Sequence, residues 1–135
     1  SDWTVAEREL FAAYVSKKNQ CQFWTGAHGA VASKVLGKDY VNDILVDGSK
    51  EPISKKLETT LKLLEKLTLR PSQVGPEDIK PLKEAGISHQ AIEDAIYVCA
   101  YFNIIDRIAD SLDFDIPSQK QFTSMAGILL KRGYK

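Results

Sequence analysis

The chain is short of the residues that most often carry chemistry. Its 135 residues hold two cysteines, two histidines and one methionine. Cys21 and Cys99 are too few and too far apart to read as a disulfide framework, so a reducing cytoplasm is the expected home. With only these thiols and the imidazoles of His28 and His89, a closed structural zinc site is not expected. Gly-rich phosphate loops and Gly-x-Ser-x-Gly elbows are absent, and no cofactor is expected. Charge of one sign is missing too: Lys plus Arg and Asp plus Glu number 18 each. A balanced chain lacks the basic excess that phosphate neutralisation or an anionic membrane surface demands, so neither nucleic acid nor membrane is an expected partner. The longest apolar run, Ala95 to Phe102, is far too short to span a bilayer. Asp2, Glu7, Arg8 and Glu9 argue against reading the first fifteen residues as a signal peptide.

What is present is helical periodicity. Hydrophobic residues make up 44% of the chain and charged ones 27%, enough apolar surface for a real core in one domain spanning residues 1–135. Thr4-Val5-Ala6-Glu7 reads as a capping box, followed by a buried stripe of Leu10, Phe11, Tyr14 and Val15. Lys17 to Gln20 interrupts it. A second helix is predicted from about Cys21 to Leu36, with Cys21, Trp24, His28, Val31 and Val35 near one face and Gly37 as its stop. A short segment from Tyr40 to Val46 ends at Asp47-Gly48. Pro52 is placed as the first residue of a helix carrying Ile53, Leu57, Leu61, Leu64 and Leu67, stopped at Arg70-Pro71. Gly75-Pro76 opens a brief helix closed by Gly86. Ser88 caps a long one running through Asp110, and Ser118 to Gln121 forms a second capping box before Phe122, Met125, Ala126 and Leu129. Nothing alternates with period two. The fold class predicted is all-α, with six or seven helices.

The segment with chemical promise runs from Glu9 to His28. At about 100° per residue, Trp24 and His28 lie roughly 40° apart and one turn from each other. Cys21 is close to His28 in angle but about 10 Å away along the axis, so His28 reaches position 24 and not Cys21. Glu9, followed by Cys21-Gln22-Phe23-Trp24-Thr25-Gly26-Ala27-His28, resembles the active-site helix pair of the AhpD-like alkylhydroperoxidase, or carboxymuconolactone decarboxylase-like, superfamily. Its redox members carry a Glu and then Cys-x-x-Cys-x-x-x-His. Leu82 to Ser88, Ala91 to Ala95 and Ala100 to Asp110 are similar to the family's downstream helices. The resemblance implies an AhpD-like helical fold assembled into trimers or hexamers, often with further helices before the capping box. It implies a thiol peroxidase whose second Cys is peroxidatic, with Glu and His behind it and an external thiol as reductant.

The chain departs from that pattern at Trp24, which stands where the peroxidatic Cys belongs. Indole has no nucleophile to replace a thiolate, so the two-Cys cycle is closed. Three readings follow. In the first, Cys21 reduces a peroxide alone, activated by a helix N-terminus and assisted by Glu9 and His28, its sulfenic acid restored by an external thiol. In the second, Glu9 and His28 form an acid–base pair acting on a small molecule stacked on Trp24, as on the decarboxylase side of the family. In the third, the site is inactive and the fold serves binding or structure. Each residue also has a plainer reading: Cys21 and Trp24 as core, His28 as a hydrogen-bonded interior imidazole, Glu9 as a solvated charge. Cys99, in the most apolar run, is expected to be structural, and Asn103, Asp106 and Arg107 to tie helices or subunits together.

Overall fold

A computed structural model describes residues 1–46, 50 and 52–133. Seven α-helices account for its architecture: α1 (Val5–Lys18), α2 (Gln22–Leu36), α3 (Lys38–Leu45), α4 (Lys55–Leu69), α5 (Pro76–Glu84), α6 (His89–Ser111) and α7 (Gln119–Arg132). One 3-10 turn, Pro71–Gln73, follows α4, and no strand occurs among the described residues. None of their helices is long and apolar enough to cross a membrane.

The helix boundaries are set by local chemistry. Thr4 and Glu7 cap each other's backbone at the start of α1, Ser88 caps α6, and Ser118 with Gln121 caps α7. Gly37 (φ 98°) ends α2 and opens α3 at once, a conformation that residues with a Cβ rarely adopt. The stop expected at Asp47-Gly48 lies outside the described residues. α4 does not begin at Pro52: the hydroxyl of Ser54 accepts the Leu57 N–H at 3.1 Å, so the first orphan donors are satisfied two residues later. Ile53 instead packs against the core from outside the helix.

α1 is the central element, packed on α2, α3, α4 and α6. Leu10, Phe11, Ala12, Ala13, Val15 and Ser16 are all buried, so this helix is enclosed around nearly its whole circumference. The helix runs to Lys18, further than expected. It then closes in a Schellman motif: Cys21 N–H bonds to Ser16 C=O at 2.9 Å and Gln20 N–H to Lys17 C=O at 3.0 Å. Gln20 occupies the left-handed position at φ 59°, where glycine is usual. The tight reversal lays α2 back along α1, which is what brings residues 9 and 28 together.

Trp3 is a core residue that periodicity did not reveal. Its ring meets Phe11 edge-on at 5.0 Å and its indole N–H donates to the Ala91 carbonyl at 2.8 Å, fastening the chain start to α6. α7 packs on α2 through a small second cluster in which Phe122 and Ala126 meet Ala30 and Val31. Gly26 permits this: a Cβ there would lie 2.3 Å from the Phe122 ring. Two residues expected on buried faces, Val35 and Met125, are exposed.

Candidate active site

Glu9 on α1 and His28 on α2 are both buried, and His28 Nδ1 is paired directly with Glu9 Oε2. Two aromatic walls enclose the imidazole. Phe102, from α6, meets it edge-to-face at 4.6 Å, and Trp24, one turn earlier on α2, lies 5.5 Å away at a 34° tilt. Trp24 is itself held in place, its indole N–H donating to the Ile105 carbonyl at 3.2 Å and its ring edge-on to Phe23 at 4.8 Å. Three helices thus contribute one carboxylate, one imidazole and two rings to a single spot. A buried carboxylate on one ring nitrogen fixes the imidazole's orientation and directs proton exchange with a ligand to the other.

Cys21 belongs to a different neighbourhood. It stands at the N-cap of α2 as expected, yet it is fully buried, and the thiol is pushed up to about 12. Burial is the main cause; the Trp24 backbone N–H works against it, and the carboxylates of Asp110 and Asp106 add to it. Burial and the neighbouring carboxylates therefore oppose the activation expected from the helix N-terminus. A helix end offers only a fraction of a charge, and removing a thiolate from water beside carboxylates costs more than that returns. The carboxylates that face Cys21, Asp110 and Asp106, are on α6.

Asp106 is the residue whose position the sequence left open. Only 1% exposed, it accepts hydrogen bonds from Ser16 Oγ at 2.7 Å and Asn19 Nδ2 at 2.9 Å, and burial raises its carboxyl in spite of both. Asn19 Nδ2 also reaches Asn103 Oδ1 at 3.0 Å, and Asn103 Nδ2 continues to Thr68 Oγ1 at 3.3 Å. One polar thread therefore joins the ends of α1 and α4 to the middle of α6. The interhelical role expected of Asn103 and Asp106 is what they perform. Arg107 differs, donating to the Asn103 carbonyl of its own helix at 2.6 Å. Cys99 is buried against Thr68 and Asn103, and burial pushes its thiol up as well. Phe102, the end of the chain's longest apolar run, was not legible as a wall against His28. His89 is exposed and pairs with Glu93 on its own helix. Among the described residues there is no cluster of three or more His, Cys, Asp or Glu side chains that could hold a metal ion.

The arrangement of helices is that of the AhpD-like, peroxidase-related proteins. The chain superposes on the crystal structure of an uncharacterized peroxidase-related protein from Silicibacter sp. TM1040 with a TM-score of 0.84 and 22% identity, over 93% of this chain and 65% of that one. It superposes on the alkylhydroperoxidase AhpD core of an uncharacterized peroxidase-related protein from Ralstonia eutropha JMP134 with a TM-score of 0.83 and 24% identity, over 93% of this chain and 66% of that one. The chain thus spans just under two thirds of the length of these structures. No protein-family model and no curated protein matches the sequence. At this identity the likeness establishes the fold; the chemistry rests on the side chains present.

Proposed function

We propose that this chain acts on a small organic molecule by proton transfer at the Glu9–His28 pair, with the molecule lying against Trp24. One observation carries the reading: the carboxylate and imidazole are already paired inside an aromatic enclosure, whereas the thiol at Cys21 is buried beside the α6 carboxylates, which with burial push it up. Glu9 holds Nδ1, and His28 exchanges a proton with the substrate through Nε2. On this reading Trp24 is a pocket wall and not merely the loss of a cysteine, its ring pinned by the Ile105 carbonyl and by Phe23.

A second reading is favoured by the likeness to peroxidase-related structures. Here Cys21, as thiolate, attacks the O–O bond of a hydroperoxide, giving a sulfenic acid and an alcohol. An external thiol then reduces the sulfenic acid, releasing water and forming its own disulfide. This course requires Cys21 to leave its buried position first.

The two are separated by treating the reduced protein with an organic hydroperoxide and a sulfenic-acid trap, then mapping peptides. Absence of label at Cys21 agrees with the first reading, and labelling faster than that of a free thiol establishes the second. A screen of small aromatic acids by NMR supplies the other arm. Shifts at Trp24 and His28 that vanish in His28→Ala and persist in Cys21→Ser are expected, and dependence on Cys21 alone would overturn the assignment.

A further inference from the structure

The turn that joins α1 to α2 is fastened to α6 on its inner side and borders a cleft on its outer side. Ser16 Oγ and Asn19 Nδ2 both donate to Asp106, at 2.7 and 2.9 Å. Lys17, Lys18, Gln20, Cys21 and Gln22 are among the residues that line a cleft of about 1000 Å³. Cys21 has no exposed surface, yet it belongs to the wall of that cleft, and its burial is shallower than that of Cys99. Between the two helices, Lys17-Lys18-Asn19-Gln20 brings no apolar side chain to anchor the turn in the core. Gln20 is also held at φ 59°, a left-handed conformation that a side chain disfavours.

We infer that this turn is a latch over Cys21 with Asp106 as its catch: when Ser16 and Asn19 let go, residues 17–21 swing out together and deliver the thiol to the cleft while the helices stay folded. Segments with few buried apolar contacts open at a lower free energy than the whole fold, and this one also sheds the strain at Gln20 when it opens. The catch stays behind, because Asp106 lies in the body of the 23-residue α6.

The movement changes the surroundings of the sulfur as well as its exposure. Closed, the thiol faces the Asp106 and Asp110 carboxylates, which disfavour the thiolate. Open, it meets water in a cleft whose described lining holds Lys17 and Lys18 against one carboxylate, Glu65, itself paired with Lys18 at 3.2 Å. The latch therefore sets whether Cys21 is silent or reactive. It supplies the displacement that peroxide reduction at Cys21 requires, but stands without that activity, since any alkylating reagent reads the same movement.

Iodoacetamide labelling of the folded full chain at pH 8, with peptide mass analysis of both cysteines, tests the latch. Cys99 is the internal reference, buried between α6 and α4 against Thr68 and the Leu64 carbonyl. In the wild type Cys21 is expected to react faster than Cys99. Ser16→Ala removes one tie and leaves both carboxylates facing the thiol, so a gain in rate reports movement and not altered charge. It is expected to speed Cys21 labelling roughly three- to tenfold. Ile92→Val trims the core at the far end of α6, about 21 Å along the helix from Asp106, where contacts survive the opening of the turn. It is expected to speed Cys99 by a similar factor and leave Cys21 unchanged. Acceleration of both cysteines by Ile92→Val, or a Cys21 rate that Ser16→Ala leaves as it was, overturns the inference.

Discussion

Alkylation of Cys21 at pH 8 is expected to run about a thousandfold slower than that of an unstructured cysteine. The figure follows from the thiol itself. With the group raised from 9.0 to about 12 by burial and by the Asp106 and Asp110 carboxylates, about one molecule in ten thousand carries the thiolate at pH 8, against about one in ten for the ordinary thiol. Complete burial slows the reagent further, since reaction then waits on a local opening. The assay is iodoacetamide labelling followed by peptide mass analysis, in buffer and in guanidinium chloride, across pH 7 to 11. The sign of the linked stability effect is also fixed. A folded-state value above the unfolded one means that the protonated thiol favours the folded protein. That contribution is fully present below pH 9 and is lost as pH climbs towards 12, by about 1.4 kcal/mol per unit. Cys21→Ser removes this dependence. Labelling of Cys21 in the folded protein within tenfold of the unfolded rate at pH 8 would refute the reasoning and return the thiol to candidacy as a peroxide-reducing centre.

Other perturbations read out the remaining architecture. Gly26→Ala places a methyl 2.3 Å from the Phe122 ring; an overpacking cost of roughly 1–3 kcal/mol outweighs about 1 kcal/mol of gained helix propensity. Chemical denaturation is expected to show a net loss, and a double-mutant cycle with Phe122→Ala a coupling between the two sites; additivity counts against the close approach of α7. Gln20→Gly relieves a left-handed residue at φ 59° and is expected to stabilise by about 0.5–1 kcal/mol; a loss in the same measurement means that the position is unstrained. Asp106→Ala strands Ser16 and Asn19 and is expected to cost about 2–4 kcal/mol, with Asp106→Asn costing less. Because burial raises Asp106 above its ordinary value, its contribution is present at low pH and is lost as pH rises through the carboxylate range. The difference in stability between wild type and Asp106→Asn is therefore expected to shrink on raising pH from about 4 to 6, and a difference that grows with pH reverses the assignment.

The helices were legible where their determinants are neighbours in the chain. Thr4 with Glu7, Ser88 with Ala91, and Ser118 with Gln121 meet within one turn, so a local reading of side-chain oxygens and backbone donors suffices. Pro52 misled because a proline compatible with a first helical turn does not compel one, and Ser54 offers the stronger cap. Val35 and Met125 follow the apolar period of their helices but turn to solvent, since periodicity marks a face without saying whether another helix arrives to cover it.

The same division runs through the site. Spacing on α2 determined by itself that Trp24 and His28 are neighbours and that Cys21 is out of His28's reach, because 3.6 residues per turn is a property of the backbone. It determined nothing about what surrounds each group. That Glu9 meets His28 depends on the reversal at Gln20, which lays α2 along α1. That Phe102 walls the imidazole depends on α6 arriving from far along the chain, and so does the carboxylate environment of Cys21. A thiol at a helix N-terminus is expected to be activated when water stands beside it and silenced when a buried carboxylate does. The helix and its capping residue are written in local sequence; the medium around the sulfur is supplied by residues some eighty-five positions later, and only the packed fold brings them there.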